Sequence, residues 1–327
     1  MKKRVFSGMR PTGKLHLGHL VGALGNWVRL QDSYECFYMV ADWHAFMSEY
    51  EKPQGMAENS IEMVRDFLAA GIDPKKSVIF VQSQVPEHLE LAFIFGCMTP
   101  LGWVERCPTY KEQLREIVGR DLTTYGFLGY PVLQAADIAL YKASAVPVGV
   151  DQLPHLELTR EIIRKFNGLY KKDVFIEPEP LLTKTAKLLG LDNRKMSKSY
   201  SNFIALSDTP EEIKKKVSQM ITDPERQKLT DKGHPDICGV FSYFQTFGDE
   251  RIKSETRAWC EAATMGCTEC KKKLADILID NLYLIRERRM KLSDGEIKDI
   301  LADGAKRARE VASNTMDEVK KLASFVV

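Results

Sequence analysis

The chain has 327 residues, 44% hydrophobic and 28% charged, with 47 basic against 45 acidic side chains and a net charge of +2. That length suggests about two domains with a sizeable core. The composition excludes a disordered chain, a collagen-like chain and a disulfide scaffold, while the near-neutral balance announces no nucleic-acid partner but leaves room for a local basic face.

The first residues, MKKRVFSGMRPTG, carry basic groups with no apolar run behind them, unlike a secretory signal. The longest mostly apolar stretch, residues 91–104, is 14 residues long and contains Thr99 and Pro100, too short for a bilayer span. A cytoplasmic protein with no membrane partner is expected. Seven cysteines in that compartment are free thiols, metal ligands or catalytic groups rather than disulfides.

Apolar runs at 4–7, 36–40, 78–81 and 145–150 read as buried strands, with helical patterns between them. Ile61, Val64, Phe67 and Leu68 share one face of a helix that stops at Gly71. This alternation predicts an α/β fold with a parallel sheet covered on both faces. Ligands in such folds sit at the carboxyl ends of the strands.

After the first strand comes FSGMRPTGKLHLGH, a Gly/Pro turn leading into a helix that opens near Gly18. A helix start after a strand offers unpaired N–H groups and a positive dipole end, which suit anions. Gly8 and Gly18 let a base or phosphate approach the backbone, and His16 and His19 are donors for phosphate oxygens. Further on, Tyr130, Gln134 and Asp137 are spaced i, i+4, i+7 and share a helix face. A buried Asp there can accept from an indole N–H or a phenol O–H. The alternative for the trio is a helix cap with a polar group at the core edge.

Lys195-Met196-Ser197-Lys198-Ser199 lies in a polar loop, two lysines three apart forming a positive clamp for phosphate. Five fixed residues arise by chance in a chain this long about 1 time in 10,000. Beyond residue 202 strand patterns fade and helical spacing takes over, with breaks near 223–224, 234–235 and 293–294. The predicted domains are 1–202, α/β, and 203–327, all-helical, the last helix being free to pack back on the first domain. The helical half holds Cys238, Cys260, Cys267 and Cys270 in the spacing C-x21-C-x6-C-x2-C. Zinc sites of this kind usually show two paired hooks. Four thiolates without that pairing suit a [4Fe–4S] cluster better, with zinc or no metal as alternatives. Cys36, Cys97 and Cys107 are scattered and read as packed hydrophobes. Lys271, Lys272 and Lys273 follow Cys270, as an RNA-phosphate contact or a solvated helix face.

The HxGH and KMSKS pair resembles the signature of class I aminoacyl-tRNA synthetases. FSGMRPTGKLHLGHLVGAL, with YPVLQAADIALY and PVGVDQLPHLELTRE, is similar to the tryptophanyl-tRNA synthetase family over residues 4–205 and, more loosely, the helical remainder. The resemblance implies a Rossmann-like catalytic domain and an anticodon-binding helical domain in a homodimer. Its substrates would be ATP with Mg2+, L-tryptophan and tRNA(Trp), and DNA is not an expected partner. It places Arg10, Pro11, Thr12, Gly18, His19, Gly149, Val150, Asp151, Lys195, Met196, Ser197, Lys198 and Ser199 at ATP. His16, His19, Lys195, Lys198 and Lys111 would serve the chemistry, and Phe6, Gly8, His44, Tyr130, Gln134, Asp137 and Gln152 the amino acid. Some members of the family carry a four-cysteine cluster in the anticodon domain. Tyr-x3-Gln-x2-Asp also occurs in tyrosyl enzymes, so tyrosine is the alternative substrate. Phe6 favours tryptophan, because it can stack on an indole but cannot read a hydroxyl. An inactive RNA-binding relative and an adenylyl transferase acting without tRNA are the remaining alternatives.

Overall fold

The computed structural model describes residues 2–116, 120–182, 188–194, 196 and 200–326. In chain order it has β1 (Arg4–Met9), α1 (Leu17–His19), a π-helical segment (Leu20–Leu24), α2 (Gly25–Leu30), β2 (Glu35–Val40), α3 (Asp42–Glu49), α4 (Met56–Ala70) and β3 (Ser77–Val81). Then follow α5 (Glu87–Met98), α6 (Leu101–Glu105), α7 (Pro108–Glu116), α8 (Tyr125–Leu128), α9 (Tyr130–Leu140), β4 (Ala145–Val148), α10 (Leu153–Tyr170) and β5 (Glu179–Leu182). The remainder is helical: α11 (Pro210–Ser218), α12 (Gly239–Phe247), α13 (Glu250–Glu261), α14 (Cys267–Lys291) and α15 (Asp294–Leu322).

The chain forms two compact units, 1–12 with 26–184 and 293–327, and 13–25 with 185–292. Residues 13–25 pair with the segment after the KMSKS loop, and α15 buries its apolar stripe against the sheet-bearing unit.

In the first unit all five strands are parallel, in the order β3-β2-β1-β4-β5. β2 and β3 are near-continuous apolar runs because helices cover both their faces. Phe6 stands beside Phe37, so the sheet centre is aromatic. The strand order reverses between β1 and β4, which makes their carboxyl ends, at residues 10–12 and 149–152, the crevice of this fold. β4 ends at Val148 rather than 150 because Gly149 leads into a short 3-10 turn. β5 escapes the sequence pattern: it is four residues long, contains Pro180 and lies at the sheet edge. α4 stops at Gly71, which takes the left-handed conformation (φ +110°).

α15 contributes Ala308, Ala312, Met316 and Val319 to the core. It lies against the backbone of β3, the sheet edge: a Cβ on Gly304 would sit 1.8 Å from the Ile79 carbonyl oxygen. In the second unit, Leu274, Ala275, Leu278, Leu282 and Ile285 line the buried face of α14, and Tyr243 of α12 donates to the Leu189 carbonyl at 2.6 Å. Among the described residues, no helix is long and apolar enough to cross a membrane.

Candidate active site

The sheet unit brings Arg10, Pro11 and Thr12 to the end of β1, and Gly149, Val150, Asp151 and Gln152 to the end of β4. A Cβ on Gly149 would meet the Asp151 carboxylate at 2.5 Å and oblige that side chain to shift. Gln152 Nε2 holds the other Asp151 oxygen at 2.9 Å. Burial draws the Arg10 guanidinium below its ordinary value, and the Glu49 carboxylate opposes that drift. Glu49 is itself paired with Arg120, whose Nη1 also reaches the Ser48 carbonyl at 3.2 Å. Lys111 is exposed on α7.

In the second unit the HxGH segment and the chain after KMSKS meet. Leu17 N–H donates to the Ile204 carbonyl at 3.1 Å, and Leu206 N–H donates to the Leu15 carbonyl at 2.9 Å. A Cβ on Gly18 would lie 3.0 Å from the His16 ring and 3.4 Å from Met196 Sδ. His16 backbone N–H donates to His19 Nδ1 at 3.2 Å, which puts the His19 proton on Nε2. The expected helix-start anion site is weaker than its sequence suggested. α1 is only three residues long and its opening N–H groups are engaged: Leu17 with Ile204, His19 and Leu20 with the His16 carbonyl. Lys195, Ser197, Lys198 and Ser199 lie outside the described residues.

The residues expected to hold the amino acid centre on Asp137, buried on α9. Its Oδ1 accepts from Gln82 Nε2 at 2.8 Å and His88 Nδ1 at 2.7 Å, and its Oδ2 from His44 Nε2 at 2.8 Å. Burial alone would raise this carboxyl, but the hydrogen bonds from His44 and His88 override it and hold it at about 2. Phe6 is buried and stacks on Tyr141 with ring centroids 5.4 Å apart. Gly8 packs against Met39, and Gln134 is half-buried on the face that carries Tyr130 and Asp137.

Tyr130, seven residues before Asp137, is gripped separately. Its hydroxyl lies 3.3 Å from Gln113 Nε2 of α7 and 3.2 Å from His155 Nε2 of α10. Thr109 and Cys107 complete this buried knot around His155. Burial pushes the His155 imidazole down to about 4 from its ordinary 6.5. A depressed histidine binds fewer protons folded than unfolded, so stability is complete above pH 6.5 and is lost as pH falls toward 4. We expect equilibrium unfolding in denaturant to report a loss on the order of 2–3 kcal/mol over that window. His155→Gln should flatten that slope. An unchanged acid limb would place the loss elsewhere.

Cys238, Cys260, Cys267 and Cys270 line one cavity together with Asp223, Arg226 and Trp259. Gly233 passes directly against Cys260: a Cβ would meet its Sγ at 2.4 Å. Arg226 Nη1 lies 3.9 Å from Cys267 Sγ. Burial, then the three neighbouring thiols, pushes Cys270 up to about 12. Among the described residues, no three His, Cys, Asp or Glu side chains are placed to hold a metal ion. Of the lysine run, Lys271 donates to the Ser218 carbonyl at 3.0 Å and Lys273 sits 4.0 Å from the Trp259 ring centroid. Both charges are tied into their own unit.

Sequence reasoning missed Gln82, His88, Gln113, Thr109 and His155. Gln82 directly follows β3, where a strand-end rule could have flagged it. His88 is a lone histidine in an apolar helix, which no spacing marks.

The comparisons with known proteins agree with this geometry. A family profile described as class I tRNA synthetases (W and Y) matches residues 1–282. A tryptophan–tRNA ligase of Thermotoga maritima is 50% identical over 330 residues, covering 99% of this chain and 99% of that protein. The Aquifex aeolicus tryptophan–tRNA ligase is 43% identical, covering 97% of this chain and 98% of its own. The tryptophanyl-tRNA synthetase of Campylobacter jejuni, solved in complex with ADP and tryptophan, superposes with a TM-score of 0.90 at 33% identity. That superposition covers 98% of this chain and 100% of that one.

Proposed function

The chain belongs to the class I tRNA synthetases for tryptophan and tyrosine, and from that premise we propose how its residues divide the work. It is an ATP-dependent aminoacyl-tRNA ligase, and its amino acid is tryptophan. The tryptophan carboxylate attacks the α-phosphate of ATP, giving tryptophanyl-adenylate and pyrophosphate. The acyl group then passes to the 3′-terminal ribose of the tRNA. Catalysis of this kind is positioning and charge stabilisation, with no covalent enzyme intermediate.

In the sheet unit, Asp137 accepts the indole N–H above Phe6, His44 and Gln134 flank it, and Tyr130 and Gln152 orient the amino-acid end. Gly149, Val150 and Asp151 take the ribose, with Arg10, Pro11, Thr12 and Lys111 on the nucleotide. In the second unit, His16, Gly18, His19 and Met196, with Lys195 and Lys198, take the phosphates. Mg2+ would travel with the triphosphate. The single observation that carries this reading is the pairing of residues 15–17 with residues 204–206, beside the contact between Gly18 and Met196. It joins two motifs far apart in sequence, which an inactive relative has no need to keep aligned. ATP–pyrophosphate exchange should be stimulated by L-tryptophan and not by L-tyrosine. Stimulation by tyrosine alone would move the substrate, and none by either would favour an RNA-binding relative.

We propose that the four cysteines, which line one cavity, bind a [4Fe–4S] cluster, with zinc or no metal as the alternatives. Its role there would be to staple helices beside an RNA-binding surface. A homodimer is supported by α5, which is apolar nearly all round and exposes Leu89, Phe93 and Cys97. Purified protein should show a broad band near ~400 nm with bound iron and sulfide, and should sediment as two chains. A colourless zinc protein overturns the cluster, and a monomer overturns the dimer.

A further inference from the structure

Asp137 is gripped from three elements, and the three grips are unequal. His44 on α3 reaches it from a side chain that is 11% exposed, whereas the His88 side chain on α5 is 0% exposed. An ionised carboxylate offers about four lone-pair sites. Gln82, His88 and His44 occupy three of them, which leaves one, on Oδ2.

The proton pattern behind His88 follows from its partners. A carboxylate only accepts, so His88 Nδ1 carries the hydrogen. In the neutral ring Nε2 is then an acceptor, and the Tyr141 hydroxyl, 2.8 Å away, donates to it. Tyr141 is fixed in turn by Phe6 and by Phe37, whose ring centroid lies 4.7 Å away. Phe80 stacks on the His88 ring at 5.9 Å. Neither His88 nor Tyr141 has room to turn, so the chain of donors has one direction, from Tyr141 through His88 to Asp137.

We propose that His88 is a positioning residue for tryptophan: clamped by Tyr141, it locks the Asp137 carboxylate so that its one remaining lone pair is presented to the indole N–H. This rests on the reading of Asp137 as the indole acceptor. His88 touches no substrate atom and acts through Asp137 alone.

The test compares L-tryptophan with 1-methyl-L-tryptophan, which lacks the indole N–H, in pyrophosphate exchange. Wild-type protein should prefer tryptophan by about 100-fold or more in kcat/KM. H88L should lower kcat/KM for tryptophan by roughly 10- to 100-fold, through KM, because a hydrogen bond to a buried charge is lost. Its values for the methylated substrate and its KM for ATP should stay near wild type, so the preference shrinks. H88N, whose amide nitrogen can stand where Nδ1 stands, should restore most of the preference. Y141F should lose an intermediate share. Equal losses on both substrates in H88L would make His88 merely structural and overturn the proposal. Should H88L fail to fold, Y141F decides, and an undiminished preference there overturns it too. A wild-type protein that does not discriminate refutes the Asp137 reading itself, a result distinct from failure at His88.

Discussion

Asp137→Ala should lower kcat/KM for tryptophan by about 1,000-fold, while KM for ATP moves less than about threefold. In the proposed reading the carboxylate accepts the indole N–H, and its pKa is held at about 2 by His44 and His88 against the pull of burial. Without it the indole N–H enters a buried site with no acceptor. The donors of Gln82, His88 and His44 lose theirs as well. Breaking a buried ionic hydrogen-bond set of this kind costs about 3–5 kcal/mol of stability. The variant should therefore be assayed well below its melting point, with folding checked by circular dichroism. Equal damage to the tryptophan and ATP constants would mean that Asp137 shapes the fold rather than reads the substrate. The pH windows separate cleanly. Asp137 contributes stability that is present above its unfolded value of 3.8 and lost as pH falls toward 2, below the window assigned to His155.

Gly304→Val, at a buried position of α15, should be strongly destabilising. A Cβ there meets the Ile79 carbonyl oxygen at 1.8 Å and its carbon at 2.7 Å. Both are backbone atoms of β3, so no side chain can swing aside. The helix must lift away, and Ala308, Ala312 and Met316 lose their seats in the core. Overpacking costs typically up to about 3 kcal/mol and more where backbone is struck. For a unit of this size that lowers Tm by about 6–12 °C. Gly295→Ala, near the start of the same helix, meets only Ser293 Oγ at 3.9 Å and serves as the control. It should leave Tm unchanged or slightly raised, since Ala is the better helix former. If Gly304→Val melts with wild type, the helix does not press on the strand as described.

Much of the sheet could be read from the chain. β2 and β3 are near-continuous apolar runs, as a parallel sheet buried on both faces demands, and β1 and β4 carry shorter apolar cores. β5 was hidden, being short, prolyl and at an edge. The i, i+4, i+7 spacing put Tyr130 and Asp137 on one helix face, and α9 carries them there. What spacing could not give is who answers them. Gln82, His44 and His88 come from three other elements, and their convergence exists only once the sheet brings those elements together. α15 was ambiguous for a related reason: its stripe of Ile297, Leu301 and Ala308 announces a buried face but not the surface that buries it.

The position of that last helix also sets an order of events on the ribosome. β3 is complete early in synthesis, yet the helix that lies along it is made only after the whole of residues 185–292 has emerged. A nascent chain therefore carries an unshielded strand edge through most of translation, the condition under which chains pair with one another instead of with themselves.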